Sequence, residues 1–586
     1  SGSVSIKSDG AAPATIFQNG QAFNPLDFSG TNVVSTTLAA SQQIGTRSWA
    51  LTSSSGVTPG MLMEVKSSAS WYCDPRPETA PNNDARKSEL HLVVSVSGNT
   101  VYTEDPARDG YDTTEETVEI TFYNPCHVQI INVNIKSTLP LAGETTPAVT
   151  GIRIQYALRP LLQNVGVDSC ARAGIFLEGC YHATVLRGFT SNANLFTTGY
   201  GVQTYGSSHT KILYRAFSGC RRGADISGGN IVSRNSLIEG CVNHGGGFDS
   251  KGTKFGWLED ADGTVGSPQF GFGSHGAADE TIYRNNVAYG LHRLITARGR
   301  NETIENNVYY GGSVDGLIYL RFGENYWITN NKAYTTAAFL KDATTYKTTN
   351  SPEYDRVTRF IDISSSTQGG TIVIRGNDVQ VQDYFLYFLG GSSAVKPNIE
   401  LSSNRVRFST SPNTNPVYLA FNSSAAAFMT GWKFIDNDAQ REDGGSGTVL
   451  RTNGQLTTAA TTKYGDELYS GTYTPVVTGV ANVDSATAWS CTYYRVGDTV
   501  TVAGRVSIDA TTSGTLTQLR MSLPVPSPGL QIISCAGTGS NTNVSDSTIW
   551  TISGDATNKE ALFNAYPSLN TTRFVYFAFA YSVIVA

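Results

Sequence analysis

The sequence predicts an all-β chain organised around a β-solenoid, and three observations carry that reading. Arg284-Asn285-Asn286-Val287-Ala288-Tyr289, Glu305-Asn306-Asn307-Val308-Tyr309-Tyr310 and Thr329-Asn330-Asn331-Lys332-Ala333-Tyr334 recur at spacings of 21 and 24 residues. Each follows a short alternating run: Thr281-Ile282-Tyr283, Thr303-Ile304-Glu305 or Trp327-Ile328-Thr329. A period of this size, filled with short strands and free of helical patterning, marks coils that bury their apolar faces only by stacking. The composition agrees. Charged residues make up 15% of the 586 residues, well under the usual share of about a quarter, while Gly, Ser, Thr, Asn, Tyr and Phe abound as in β proteins.

The repeat extends outward through Val167, Phe189, Phe217, Ile238, Ala288, Tyr309 and Ala333, with gaps of 22, 28, 21, 50, 21 and 24 residues. The 50-residue gap fits two coils or one coil with a large insertion. Cys170, Asn192, Cys220 and Cys241 each lie three positions beyond a repeat residue and suggest one interior ladder, which Asn377, Asn404 and Asn437 continue.

In chain order, residues 4–127 read as a β-rich neck region. Gly60 to Val65 and Leu90 to Val96 alternate as strands, Ser97-Gly98-Asn99-Thr100 is a turn, and Trp71 to Lys87 is a polar, Pro-rich loop. Residues 128–445 hold the coils. A second recurring strand begins at Gly151-Ile152-Arg153-Ile154-Gln155 and returns at Gly174, Gly201, Ala224, Phe248, Ile295, Ile318 and Ile361. Period-two alternation turns its aliphatic residues inward. Two columns then face outward: Arg153, Phe176, Gln203, Asp225, Asp249, Thr296, Tyr319, Asp362, and beside it Gln155, Glu178, Tyr205, Ser227, Lys251, Arg298, Arg321, Ser364. They make one long exposed face of acids, arginines and aromatics. Gly252 to Gly276 interrupts the pattern, and Phe248-Asp249-Ser250-Lys251-Gly252 resembles Phe272-Gly273-Ser274-His275-Gly276 closely enough to be a second copy of one strand. Residues 466–586 show strands at sandwich-like spacing. The last of them, Phe574 to Val585, is too apolar on both faces for a free edge.

The net charge of −6 gives no support for nucleic-acid binding. No apolar run is long enough to span a membrane. The eight cysteines contain no C-x-x-C pair, so buried free thiols are expected. The seven histidines form no metal motif, and neither a metal nor another cofactor is expected. The opening Ser1-Gly2-Ser3 reads as a cloning remnant, and the chain as a fragment.

Several stretches resemble the tailspike proteins of bacterial viruses, which carry a right-handed parallel β-helix of the pectate-lyase kind. They are Gly151 to Ala157 with Asn164-Val165-Gly166-Val167, Cys220-Arg221-Arg222-Gly223-Ala224, and Phe272 to Gly276 with Asn285-Asn286-Val287. Gly471-Thr472-Tyr473-Thr474-Pro475 and Tyr494-Arg495-Val496-Gly497-Asp498 resemble a C-terminal β-domain of viral tail fibres. The resemblance covers most of the chain. It implies a homotrimer in the virion tail that binds and cleaves bacterial surface polysaccharide, O-antigen or capsule, and joins other tail proteins through a missing N-terminal domain. It does not carry catalytic residues, which move from member to member.

Two chemistries fit the outward face. Hydrolysis needs two carboxyls, roughly 5–9.5 Å apart. Asp225 and Asp249, expected on neighbouring coils, meet that requirement, and their like charges would keep one protonated as the acid. Glu324, Glu178, Glu259 and Asp260 are further acids. β-Elimination from a uronate needs a base and a cation for the carboxylate. His275, Lys251, Tyr319 and Tyr205 are candidate bases, and Arg298 and Arg321 candidate carboxylate ligands. Gln203, Tyr205, Trp257 and Tyr319 complete a sugar-binding set, with Phe322, Tyr326 and Trp327 as further aromatic platforms. A sugar-binding adhesin that does not cut, or a structural β-helix, are the competing readings. The charged columns favour a depolymerase.

Overall fold

The computed structural model describes residues 2–137 except 9, 11, 19–23 and 72–84; 150–334 except 171, 194–198, 229–230, 246–256, 260–264, 269, 292 and 312–315; 359–441 except 365–366, 368, 382–383, 389–396, 409–416, 422–432 and 436; and 469–583 except 497–498 and 542–547. Two compact units result. One holds residues 1–397, 404–425 and 438–453, the other 398–403, 426–437 and 454–586.

The first unit is a parallel β-helix. Each coil contributes up to three short strands, as in Ile282–Arg284, Val287–Tyr289 and Arg293–Ala297, and each pairs in parallel with its counterpart on the next coil. Asn is selected at the bend between the first two strands. Asn285, Asn306 and Asn330 have φ near +56°, a left-handed conformation that Asn tolerates better than most residues. The next Asn turns inside. The side-chain amides of Asn286, Asn307, Asn331 and Asn377 each donate to the next along the stack, ending on Asn404, at 2.8–3.0 Å. Each also caps a backbone carbonyl, such as that of Tyr283 for Asn307. The ladder therefore satisfies buried polar groups that the bend would otherwise strand.

The third strands form an eleven-stranded parallel sheet, here called the floor: Leu26–Ser29, Thr150–Gln155, Ala173–Glu178, Tyr200–Tyr205, Arg222–Ser227, Phe270–Ser274, Arg293–Ala297, Gly316–Leu320, Arg359–Ile363, Tyr384–Phe388 and Val417–Phe421. Ile152, Ile175, Val202, Ala224, Phe272, Ile295, Ile318 and Ile361 line its buried side.

Three expectations change. Residues 3–29 are not part of a neck but form the first coil, since Ser3–Lys7, Ala14–Gln18 and Leu26–Ser29 pair in parallel with strands of the second. The β-rich region is an antiparallel six-stranded sheet within residues 31–124, inserted between these two coils. The first coil's strands are short and largely exposed, so they lack the apolar run that marks later ones. Arg222–Ser227 pairs directly with Phe270–Ser274, so the 50-residue gap is one coil with an insertion. The proposed Cys/Asn ladder mixes two bends. Cys170 and Cys220 follow the positive-φ residues Ser169 and Gly219 of one bend, where Asn192 is itself the positive-φ residue. Cys241 belongs to the other, its amide donating to Asn286. The seven described cysteines are buried and free.

The inserted sheet has its own core, with Trp49, Met63, Val65, Val93, Ile120 and Phe122. It contacts residues that directly follow floor strands. Tyr123 stacks on Tyr156, Asp105 accepts from Tyr181 and meets His209, Asp109 meets Arg234, and Trp71 bonds Gly276. It is therefore a wall along one rim of the floor.

The second unit contains an antiparallel ten-stranded sheet between Tyr469 and Ser582. Its last strand, Arg573–Ser582, lies between Thr499–Ala510 and Cys535–Asn541, as its apolarity required. Val575, Phe577, Phe579 and Tyr581 enter the core, while Phe574 and Tyr576 stay exposed. Among the described residues no helix is long and apolar enough to cross a membrane.

Candidate active site

The floor's register puts side chains in columns on the side away from the coil interior. One column runs Arg153, Phe176, Gln203, Asp225, Gly273, Thr296, Tyr319, Asp362. It is the expected column with one exchange: Gly273, not Asp249, occupies the rung next to Asp225. The expected rung-to-rung carboxyl pair is therefore absent. Asp249 and Lys251 lie outside the described residues, as does the side chain of Trp257, whose backbone opens the strand Trp257–Glu259.

The second column runs Gln155, Glu178, Tyr205, Ser227 and continues through His275, Arg298 and Arg321, which the adjoining pairs place on successive rungs. His275 thus stands where the sequence columns had Lys251. Successive rungs are about 4.8 Å apart, so His275, Arg298 and Arg321 share one short stretch of floor.

Asp225 was expected on an exposed face with one carboxyl of its pair protonated. It is instead fully buried. Arg222 forms an ion pair with it, Ser227 donates to it, and Gln203 Nε2 lies 3.3 Å away. Burial alone would raise its carboxyl, but the Arg222 charge, the His275 charge whenever that ring is protonated, and the bonds from Ser227 and Arg222 hold it well below the usual carboxylate range. Asp225 is thus a fixed anion and not a proton donor. Gln203, expected as an exposed sugar ligand, is buried with it. His275 is partly open, its side chain 24% exposed, with Nε2 3.4 Å from Asp225 Oδ2.

Arg222 is the residue the sequence reading missed. Strict alternation from Asp225 sends position 222 to the core side. The alternation breaks at Gly223, which also faces inward, where a Cβ would lie 2.4 Å from Asn243 Nδ2, and position 222 is returned to the outer side without a shift in register. The signal was there in the glycines at 151, 174, 201, 223 and 271, one per coil.

Around this centre the face is cationic and aromatic. Arg298 is half-buried; burial first, then the like charges of Arg222 and Arg321, bring its guanidinium down to about 9 against the pull of Asp225. Its Nε and that of Arg321 are buried without a hydrogen-bond partner. Arg293 lies 4.2 Å over the Tyr319 ring, Arg321 4.3 Å over Phe322 and Arg172 5.3 Å over Phe176. Asp362 is matched by Arg359. Such crowding of guanidiniums favours an anionic guest.

The remaining candidates fall elsewhere or lose their role. Tyr205 is half-buried against Phe176, and burial, then Tyr200 and Asp225, push its hydroxyl up to about 12, unfit for a base near neutrality. Glu178 accepts from Gln155 and neighbours Arg153. Glu324 sits in the turn that stacks on Asn301, to which its carbonyl is bonded. Tyr326 is buried and Trp327 exposed. Among the described residues, no three His, Cys, Asp or Glu side chains are placed to share a metal ion.

No protein-family model and no curated protein matches the sequence. Solved structures do match. The tailspike gp49 of Pseudomonas phage LKA1 aligns over 100% of this chain and 88% of its own, with a TM-score of 0.57 and 15% identity. The tailspike gp61 of Pseudomonas phage phi297 aligns over 99% and 86%, with a TM-score of 0.59 and 15% identity. The gp54 tailspike of Acinetobacter baumannii bacteriophage AP22, solved with A. baumannii capsular saccharide, aligns over 97% and 91%, with a TM-score of 0.57 and 15% identity. These alignments cover nearly the whole chain, and the chain has the parallel β-helix fold of the bacteriophage tailspikes.

Proposed function

We propose that this protein is a homotrimeric virion tail component that binds an acidic polysaccharide of the bacterial surface along the floor and cuts it internally by β-elimination. The observation that carries the reading is the placement of His275 between a buried anion, Asp225, and two adjacent guanidiniums, those of Arg298 and Arg321. Hydrolysis is the weaker reading, because the one described acid of the expected pair cannot protonate a leaving group. The saccharide bound to the gp54 tailspike supports a carbohydrate partner.

The chemistry divides among the residues. Arg298 and Arg321 bind a uronate carboxylate and stabilise the charge that grows on it as the C5 proton leaves. The His275 nitrogen turned away from Asp225 accepts that proton. Asp225, kept ionised by Arg222, holds the ring in place and stabilises the imidazolium. The C5–H electron pair becomes the C4=C5 double bond, the C4–O4 bond breaks, and O4 takes a proton from water. Tyr319, partly exposed under the Arg293 guanidinium, offers its ring to a neighbouring sugar, whereas Phe322 is buried and does not.

The test is digestion of purified capsules and O-antigens, following unsaturated uronate at about 232 nm together with new reducing ends. Both signals rising, and both lost in His275→Ala, is the expected result. New ends without absorbance would mean hydrolysis. Binding with neither signal would mean an adhesin.

A further inference from the structure

The segment carrying His275 is fixed residue by residue. The Ser274 hydroxyl accepts from the amides of Arg298 and Gly299 at 2.7 and 3.3 Å. The His275 amide donates to Ile226 at 2.8 Å, and the Ala277 carbonyl accepts from Ser233 at 3.0 Å. Asp279 bonds Arg234, Arg300 and Asn301. All these partners belong to the coils. The Gly276 carbonyl is held differently, by Trp71 Nε1 of the inserted sheet at 2.6 Å, across 205 residues of sequence.

Trp71 is itself clamped. It is 2% exposed, with the guanidinium of Arg300 4.7 Å from its ring and that of Arg234 5.4 Å away. Both arginines are anchored by Asp279 of the coil and Asp109 of the inserted sheet. Trp71, Ala85, Val232 and Ala277 pack as a small apolar cluster beside them. An indole packed against two anchored guanidiniums has little freedom, so its N–H is a rigid strut against the residue following His275.

We propose that Trp71 is a positioning residue for His275, and that the inserted sheet is thereby part of the catalytic apparatus and not only a wall. The proposal rests on the reading of His275 as the base. A proton-transfer group displaced by a fraction of an ångström loses rate while the sugar-binding arginines on the neighbouring rungs stay in place. Removing the indole N–H therefore lowers kcat and spares KM.

Trp71→Phe tests this, since it keeps an aromatic ring beside the guanidiniums while removing the N–H donor together with the pyrrole half of the indole. Two readouts are taken on the full chain. One is kcat and KM on the surface polysaccharide giving the largest 232 nm signal. The other needs no substrate: the rate at which diethyl pyrocarbonate modifies His275, read by peptide mass spectrometry with His127 as internal reference. The expected result is a fall in kcat of roughly 10-fold or more with KM within about 2-fold, and a several-fold change in modification at His275 alone. Unchanged kcat with unchanged modification overturns the proposal, as does an equal change at His127, which would mean general loosening. If His275→Ala retains full activity, the catalytic reading fails by itself, and the modification rate alone decides whether Trp71 positions the ring.

Discussion

At the scale of single residues, the decisive difference lies between a face and a surface. Alternation correctly assigned Asp225 and Gln203 to the side away from the core, but it carries no information on what covers that side. Arg222, returned by the break in alternation at Gly223, closes over Asp225. The wrong partner, Asp249 for Gly273, came from two similar pentapeptides that only pairing can tell apart. The buried pair makes a prediction. Asp225→Asn leaves the Arg222 charge uncompensated and costs about 3–5 kcal/mol, seen as a lower urea midpoint. Arg222→Met with Asp225→Leu recovers most of that stability but not the cleavage. A second residue gives a pH signature. Glu302 is sealed in the coil interior, where burial, only partly offset by Ser274 and the Gly299 amide, pushes its carboxyl up to about 8. Its folded pKa is raised above the unfolded value. Its share of stability is therefore complete below about pH 4.5 and is lost as pH rises through about 8, by at most roughly 5 kcal/mol. Glu302→Gln flattens that slope, which denaturant unfolding at pH 5, 6.5 and 8 would measure.

At the scale of elements, the coil bends show why so much of the solenoid was legible. An Asn-Asn pair meets two separate demands: the first residue adopts positive φ in solvent, and the second feeds an amide ladder inside. Neither demand depends on distant sequence, so the pair repeats openly at 285–286, 306–307 and 330–331. Where other residues meet the same demands, as Gly240 and Cys241 do, the pattern blurs and the ladder could not be traced. The first coil, split from the second by the inserted sheet, was hidden for a related reason, since its strands find their partners only beyond residue 126. The two positions of a pair differ in consequence. Asn307→Ala strands the Asn286 backbone amide, breaks the side-chain link between Asn286 and Asn331 and removes a donor from the Tyr283 carbonyl, an expected loss of about 2–4 kcal/mol. Asn306→Gly, exposed at φ +55°, changes stability by less than about 0.5 kcal/mol. Rates of thermal inactivation of the two variants would separate them.

At the scale of the whole molecule, net charge and local charge point in opposite directions. The chain carries −6 overall, yet arginines at 172, 221, 222, 293, 298, 321 and 359 all lie in or beside the floor strands, where Asp225 and Asp362 are already paired and Asp27 and Glu178 flank Arg153. Exposed charges more than a Debye length of about 8–10 Å away contribute little to that field. On the proposed reading, an acidic polymer is drawn to the floor by charge, while the chemical step depends on groups already shielded by burial. Raising salt from about 0.05 to 0.5 M should therefore raise KM by at least 10-fold and leave kcat within about 2-fold. Arg298→Gln and Arg321→Gln act differently, because a carboxylate ligand is needed in the transition state as well as in binding: each should lower kcat/KM by roughly 100-fold, with kcat sharing the loss. The same polymer with its carboxyl groups reduced to alcohols should neither bind tightly nor be cut. Cleavage of that neutral polymer at an undiminished rate would remove the carboxylate from the mechanism, and with it the reason for placing His275 beside two guanidiniums.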